Sequence, residues 1–259
     1  MMKAPIRLAF VPTTRLLTQR SLLARWSAAT QPTEWVPCSN YAELLRTVTE
    51  RTVDAAWLPP VTYLRAVRTD AVEPVFSLKR AGAGRYSSAL ICHADTPYEH
   101  VDDLRDARAA WVDPWSAAGY LMPRKLLREA GVHPDRDIWQ RMFGSYSNVL
   151  EALALDRADI AGVFCSVDAF KTVIRAGWTG ADRVRVIALS EPIAGDVIAR
   201  VRRKGAPSLD EWTDAVRGAA EAREHQSLLR DVFGAEGLEE PDVRGYAPLE
   251  SALRDELSQ

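Results

Sequence analysis

Asp113-Pro114-Trp115-Ser116-Ala117-Ala118-Gly119-Tyr120-Leu121-Met122-Pro123 joins an apolar run, Ala109-Ala110-Trp111-Val112, to a helical pattern that closes at Gly131. It reads as a strand-to-helix corner. Such a corner presents backbone N–H groups that have no intrahelical partner and carry partial positive charge. Ser116 is a good helix cap, and the small residues Ala117, Ala118 and Gly119 leave room for a ligand to approach the backbone. The corner therefore points to small-molecule binding or chemistry; a well-capped helix and nothing more is the competing reading. Pro123 is poorly placed deep in a helix, so a first turn over Ala117–Leu121 should give way to a main helix starting near Pro123.

Outward from the corner, strands and helices alternate. Upstream, strands are expected at Ile6–Val11, Glu34–Val36, Val53–Leu58 and Val72–Lys79. Helices are expected at Leu16–Ala29, Tyr41–Arg51 (Asn40 as cap, with Glu43 in a capping box) and Val61–Thr69. Around the corner come strands Tyr86–His93, Ala107–Val112, Ile138–Phe143 and Asp159–Phe164, with helices at Val101–Leu104, Ser147–Leu155 and Val167–Ala176. Val184–Leu189 reads as a strand returning to the first block, followed by helices Leu209–Arg223 and Gln226–Phe233 and a polar tail with Tyr246. This alternation implies an α/β protein with parallel sheet covered on both faces. Ala81-Gly82-Ala83-Gly84-Arg85 is not followed by a helical pattern, so it reads as a turn and not as a phosphate loop.

Composition narrows the function classes. With 259 residues, 47% hydrophobic and 26% charged, the chain is an ordinary globular sequence able to bury a sizeable core. A net charge of −2 argues against nucleic-acid and anionic-membrane partners. Cys38, Cys92 and Cys165 lack metal or redox spacing and sit in apolar settings, and His93, His100, His133 and His225 are scattered, so no metal or other cofactor is expected. Met1-Met2-Lys3-Ala4-Pro5 leads straight into the first strand without the apolar segment of a signal peptide, and no stretch is apolar enough to insert in a membrane. The expectation is a cytoplasmic protein with its cysteines as thiols.

Several segments resemble, in order and wording, the solute-binding proteins of phosphonate, phosphite and phosphate-type ABC importers. Tyr41-Ala-Glu-Leu-Leu and Val53-Asp54-Ala-Ala-Trp57-Leu-Pro-Pro60 with Tyr63 look like that family's first-lobe segments, and Tyr86-Ser87-Ser88-Ala-Leu-Ile resembles its crossover strand. Val101-Asp-Asp-Leu104 and the Asp113–Pro123 corner with Gly131 are similar to its second-lobe signature, and Ser190-Glu-Pro-Ile-Ala-Gly-Asp-Val-Ile198 to its return strand. The likeness covers nearly the whole chain. It implies a two-lobed type 2 periplasmic-binding fold, each lobe a mostly parallel sheet flanked by helices, with a ligand cleft between them. Residues 1–85 and 188–259 would form lobe one, and 86–187 lobe two.

The ligand-binding set this resemblance implies is Thr13, Tyr41, Trp57, Tyr86, Trp115, Ser116, Ala117, Ala118, Gly119, Tyr146 and Phe164. The family's corner reads Ser-Thr-Ser-Gly; here Ser116 keeps the first hydroxyl, and Ala117 and Ala118 replace the next two. A family histidine corresponds to Tyr146 and a family acidic residue to Phe164. Each missing hydroxyl would cost about 1.5–3 kcal/mol against a charged oxygen, so weak phosphonate and phosphate binding is expected. The rings of Trp57, Tyr86, Trp115, Tyr120, Tyr146 and Phe164, expected at strand ends and helix starts, suit a planar, apolar or cationic body better than a bare oxyanion, although Trp57 and Phe164 read equally well as core. The expected partner is a small molecule, anionic or aromatic. The expected function is a solute-binding or sensing protein that closes on a small molecule. The alternative is an enzyme on the same fold acting on a small carboxylate, as chorismate-type dehydratases do. Its candidate groups would be Asp113, Ser116, Tyr146 and Cys165, but no base and nucleophile pair up in the sequence, so no catalytic residue is assigned. A subunit that meets another protein through this surface is the third reading.

Overall fold

The computed structural model describes residues 4–12, 16, 19, 21–80, 84–167, 173–174 and 183–257. The chain divides into two compact units, Met1–Gly84 with Ala194–Arg244, and Arg85–Ile193 with Gly245–Gln259. Three chain crossings therefore connect them.

The first unit contains strands β1 (Ile6–Phe10), β2 (Thr33–Pro37), β3 (Ala55–Leu58) and β4 (Val72–Lys79), and helices α1 (Ser21–Ala29), α2 (Tyr41–Thr49) and α3 (Pro60–Val67). Strand β3 is buried throughout, as a central strand covered on both faces must be. Asn40 caps α2 by accepting the Glu43 N–H at 2.9 Å, while the Glu43 carboxylate reaches past the cap to the Ser39 N–H at 2.6 Å. The core is aromatic: Phe233 meets Trp26 edge-on at 4.9 Å between ring centroids and Trp57 at 5.1 Å.

The second unit is built on β5 (Arg85–His93), β6 (Arg108–Trp111), β7 (Trp139–Met142), β8 (Ile160–Val167), β9 (Val173–Ile174) and β10 (Val184–Leu189), in the order β10-β5-β8-β6-β7 with β9 on β8. Alternate residues of β5 enter separate cores, Ala89 and Ile91 on one face, Leu90 and Cys92 on the other. Helices α4 (Met122–Glu129) and α5 (Tyr146–Ala154) cover it. Gly162 of β8 lets the helix start approach closely: a Cβ there would lie 3.0 Å from the Ala118 carbonyl oxygen and 3.2 Å from Pro123 Cβ.

The remaining elements are β11 (Ile193–Ala194), β12 (Val197–Val201), α6 (Asp210–Glu221), α7 (Gln226–Phe233), β13 (Gly237–Glu239) and α8 (Ala247–Leu257). The first-unit sheet runs β13-β4-β12-β3-β1-β2.

The α/β class stands, with four differences. Both sheets are mixed. Strand β12 returns between β3 and β4 antiparallel to each, and β5 is antiparallel to β8 and β10. Val184–Leu189 pairs with β5 and so belongs to the second unit; the return to the first begins at Ala194. Val167 ends a strand, and Val173–Ile174 pairs back on β8, where a helix over Val167–Ala176 is expected from sequence; the residues between lie outside the described ones. Finally, the tail is not a polar extension of lobe one. Leu249, Ala252 and Leu253 form a buried helical stripe on α8, Tyr246 is buried before it, and the helix belongs to the second unit.

A buried cation anchors α8. Arg124 on α4 lies 2.6 Å from Asp135 and 3.0 Å from Glu256, and Tyr120 donates to Glu256 at 2.8 Å. Tyr120 is thus committed to the fold and not to a ligand surface; burial, then its bond to Glu256, pushes the phenol up to about 12.

Candidate ligand-binding site

The corner after β6 folds as its residue types require. The Asp113 carboxylate accepts the Trp115 N–H at 2.7 Å and its carbonyl accepts the Ser116 N–H at 3.0 Å, closing a tight turn. Burial pushes the Asp113 carboxyl up, against the pull of these bonds to Trp115 and Ser116. Ser116 then caps the helix, its Oγ accepting the Gly119 N–H at 3.0 Å.

The first turn, Ala117–Leu121, is a π-turn: Leu121 N–H donates to the Ser116 carbonyl and Met122 N–H to the Ala117 carbonyl. Pro123 explains the widening, because it brings no N–H and helix carbonyls behind it need other donors. Ser88 Oγ donates to the Ala118 carbonyl at 2.7 Å and Val112 N–H to the Gly119 carbonyl at 3.1 Å. Gly119 has no alternative at this spot: a Cβ would stand 2.8 Å from both Ser116 Oγ and Val112 Cβ. The amides of Ala117 and Ala118 lie ahead of the first intrahelical bond, so neither has a partner within the helix.

A second helix start meets the first. Ser145 caps α5, accepting the Asn148 N–H at 3.2 Å, and so sets Tyr146 at the head of the helix. The Tyr146 hydroxyl lies 3.1 Å from Ser116 Oγ, and its ring meets Phe164 edge-on at 5.0 Å. Phe164 projects from β8 with 39% of its surface exposed, so it is not core. Tyr86 shares a strand face with Ser88, the residue that pairs with Phe164 in register. Trp115 is half-buried in the turn itself.

The second unit thus assembles Ser116, Ala117, Ala118, Gly119, Tyr146 and Phe164. Tyr41 and Trp57 belong to the first unit, where they line a cavity of about 400 Å³ with Arg80, Asp196 and Phe233. Trp57 serves both as core and as wall: it is 8% exposed, and its indole N–H donates to Asp196 at 2.9 Å. Arg80 donates to the same carboxylate oxygen at 2.9 Å and to the Phe233 carbonyl at 2.9 Å. The sequence reading missed Arg80, Asp196 and Phe233. The one local sign was Asp196, a single acid inside the apolar run Ile193–Ile198. Thr13 lies outside the described residues, as do Ala81, Gly82 and Ala83 of the glycine-containing turn.

The family model for the phosphonate-type periplasmic substrate-binding proteins of ABC transporters matches residues 20–246. The chain belongs to this family.

This substrate-binding protein is 28% identical over 190 residues to the phosphate-import protein PhnD of Mycolicibacterium smegmatis, an alignment covering 69% of the chain and 59% of that relative. The chain thus spans about three fifths of the length of the curated relative it matches. Two solved structures are similar in fold: XAC2383 from Xanthomonas citri bound to ATP (TM-score 0.75, 15% identity, 96% of each chain) and PhnD1 from Prochlorococcus marinus in complex with methylphosphonate (TM-score 0.74, 12% identity, 98% of each chain). The architecture is that of the type 2 periplasmic binding proteins.

Ser116 Oγ has Gly119 and Tyr146 as its partners, and among the described residues no histidine hydrogen-bonds to it. Burial pushes the Cys165 thiol up to about 11, away from the thiolate a nucleophile needs. Among the described residues no group of three or more His, Cys, Asp or Glu side chains could hold a metal ion, and no helix is long and apolar enough to cross a membrane.

Proposed function

We propose that this solute-binding protein takes an anionic or aromatic small molecule at the Ser116 corner. The hydroxyls of Ser116 and Tyr146 and the amides of Ala117 and Ala118 hold its polar end, and Phe164 and Trp115 receive its body. One observation carries the reading: two helix starts converge so that their hydroxyls lie 3.1 Å apart, with an exposed aromatic ring against Tyr146. Hydroxyls and helix amides suit oxyanions, and exposed rings suit a planar body.

On this reading methylphosphonate and phosphate bind weakly, because Ala117 and Ala118 supply amides but no hydroxyls. The relatives' ligands, methylphosphonate and ATP, supply a bare oxyanion and an oxyanion carrying a planar base. We further propose a cytoplasmic binding or sensing role; three buried cysteines that form no disulfide support it. Mass spectrometry of what co-purifies with the protein tests the assignment. An anionic or aromatic molecule retained by the unmodified protein and lost from a Ser116→Ala, Tyr146→Phe variant supports it, and a molecule retained equally by both refutes it.

A further inference from the structure

Strand β7 is one of the two outer strands of the second-unit sheet; among the described residues its only pairing is with β6. All of its residues are exposed. Trp139, at 72%, is the most exposed large apolar side chain among the described residues, and Met142 is 43% exposed. Sheet edges are normally blunted by charge, proline, a bulge or a covering element. This edge instead offers a tryptophan and a single cation, Arg141.

Backbone direction decides what the edge can pair with. Trp139 N–H donates to the Ala107 carbonyl at 2.9 Å and Phe143 N–H to the Trp111 carbonyl at 2.8 Å. Residues 139, 141 and 143 therefore turn their backbone groups toward β6, and Gln140 and Met142 turn theirs to the open edge. Gln140 is held firmly. Its side-chain oxygen accepts from Trp111 Nε1 at 2.8 Å and from Arg124, and its amide nitrogen donates to Asp135 at 3.1 Å.

We propose that β7 pairs antiparallel with β7 of a second copy of this chain, about a two-fold axis at Gln140. In that register each Gln140 exchanges N–H and C=O bonds with the other, using the groups that face outward. Trp139 of each copy then stands opposite Arg141 of the other, in the closely spaced position where side chains touch. A guanidinium meets an indole face twice, and no like charges are opposed. Arg141 is already suited to this: within one copy its guanidinium lies 5.4 Å from the Phe143 ring centroid. A strand from an unrelated protein would satisfy the backbone but not this reciprocal pair. The surface is independent of the Ser116 corner and of its ligand.

Mixing a Trp139→Cys protein with an Arg141→Cys protein under mild oxidation tests the register. Disulfides need Cα atoms about 4.4–6.8 Å apart, and the non-hydrogen-bonded pair provides about 4.5 Å. The mixture should form an intermolecular disulfide about tenfold faster than either variant alone. Sedimentation velocity of the unmodified protein should show a monomer–dimer equilibrium. Met142→Pro, which removes an outward N–H and spares the ladder to β6, should weaken it about tenfold. Crosslinking no faster in the mixture than in the single variants overturns the register. A chain that stays monomeric at every concentration overturns the proposal and leaves the edge to a strand of another protein.

Discussion

Ser116 Oγ and the Tyr146 hydroxyl, 30 residues apart in sequence, lie 3.1 Å apart in the fold and join the cap of one helix to the first turn of the next. The same serine oxygen caps Gly119, so the pair is structural as well as chemical. Ser116→Ala should cost about 1–2 kcal/mol through the lost cap and hydrogen bond, and Tyr146→Phe about 1 kcal/mol. Chemical denaturation of both single variants and the double variant should show a coupling of about 0.5–1.5 kcal/mol. Strictly additive losses would mean the two hydroxyls do not interact.

Two glycines should respond in opposite directions to alanine. At Gly119 a Cβ meets Ser116 Oγ and Val112 at 2.8 Å, so Gly119→Ala should destabilise by about 1–3 kcal/mol and deform the corner. At Gly218, inside α6, a Cβ meets nothing within 4 Å, and Gly218→Ala should stabilise by about 0.5–1 kcal/mol. Thermal melts of the two variants give the signs directly.

The corner was legible because its instructions are local. Asp113 and Pro114 make the turn, Ser116 caps, Gly119 admits the close approach, and Pro123 marks where the turn must change. The capping of α2 was legible for the same reason. What escaped depends on distant chain. The Asp196 oxygen that joins Trp57 and Arg80 does so across 139 and 116 residues, beyond the reach of any periodicity. Val167, Val173 and Ile174 have apolar side chains that a helix and a strand pair can both use, and pairing with β8 puts these three in strands. The tail looked polar because its charges dominate, yet its three-residue apolar stripe and Arg124 fix it in the second unit.

Acid should loosen that tail. Burial pushes the Glu256 carboxyl up, but hydrogen bonds from Arg128, Tyr120 and Arg124 outweigh it and hold the carboxyl below its ordinary value. Asp135 is likewise held low by Arg124 and Gln140 against its burial. A carboxylate with a depressed folded pKa stabilises the fold above its unfolded value and loses that contribution as pH falls through the lower folded value. Stability should therefore decline below about pH 5. Glu256→Gln should cost about 2 kcal/mol at neutral pH, since it leaves a buried arginine short of a partner, and it should flatten the acid slope. Equal slopes for the two proteins in melts from neutral to acid pH would remove Glu256 from this account.

The proposed cytoplasmic setting has a chemical readout. Cys38, Cys92 and Cys165 are buried free thiols. Burial pushes Cys38 upward, and Cys165 to about 11, so neither is primed to oxidise. Protein recovered from the native host should carry three thiols by non-reducing intact-mass analysis and fractionate with the cytoplasm. A disulfide, or recovery from an extracytoplasmic fraction, would contradict the proposal.

Calorimetric titration of the unmodified protein with methylphosphonate and phosphate, beside an Ala117→Thr, Ala118→Ser variant, tests the corner most directly. The unmodified protein should bind both anions weakly, and the two added hydroxyls should raise the affinity by at least about tenfold through charge-assisted hydrogen bonds. Sub-micromolar binding of either anion by the unmodified protein, unchanged by the two hydroxyls, would contradict the account.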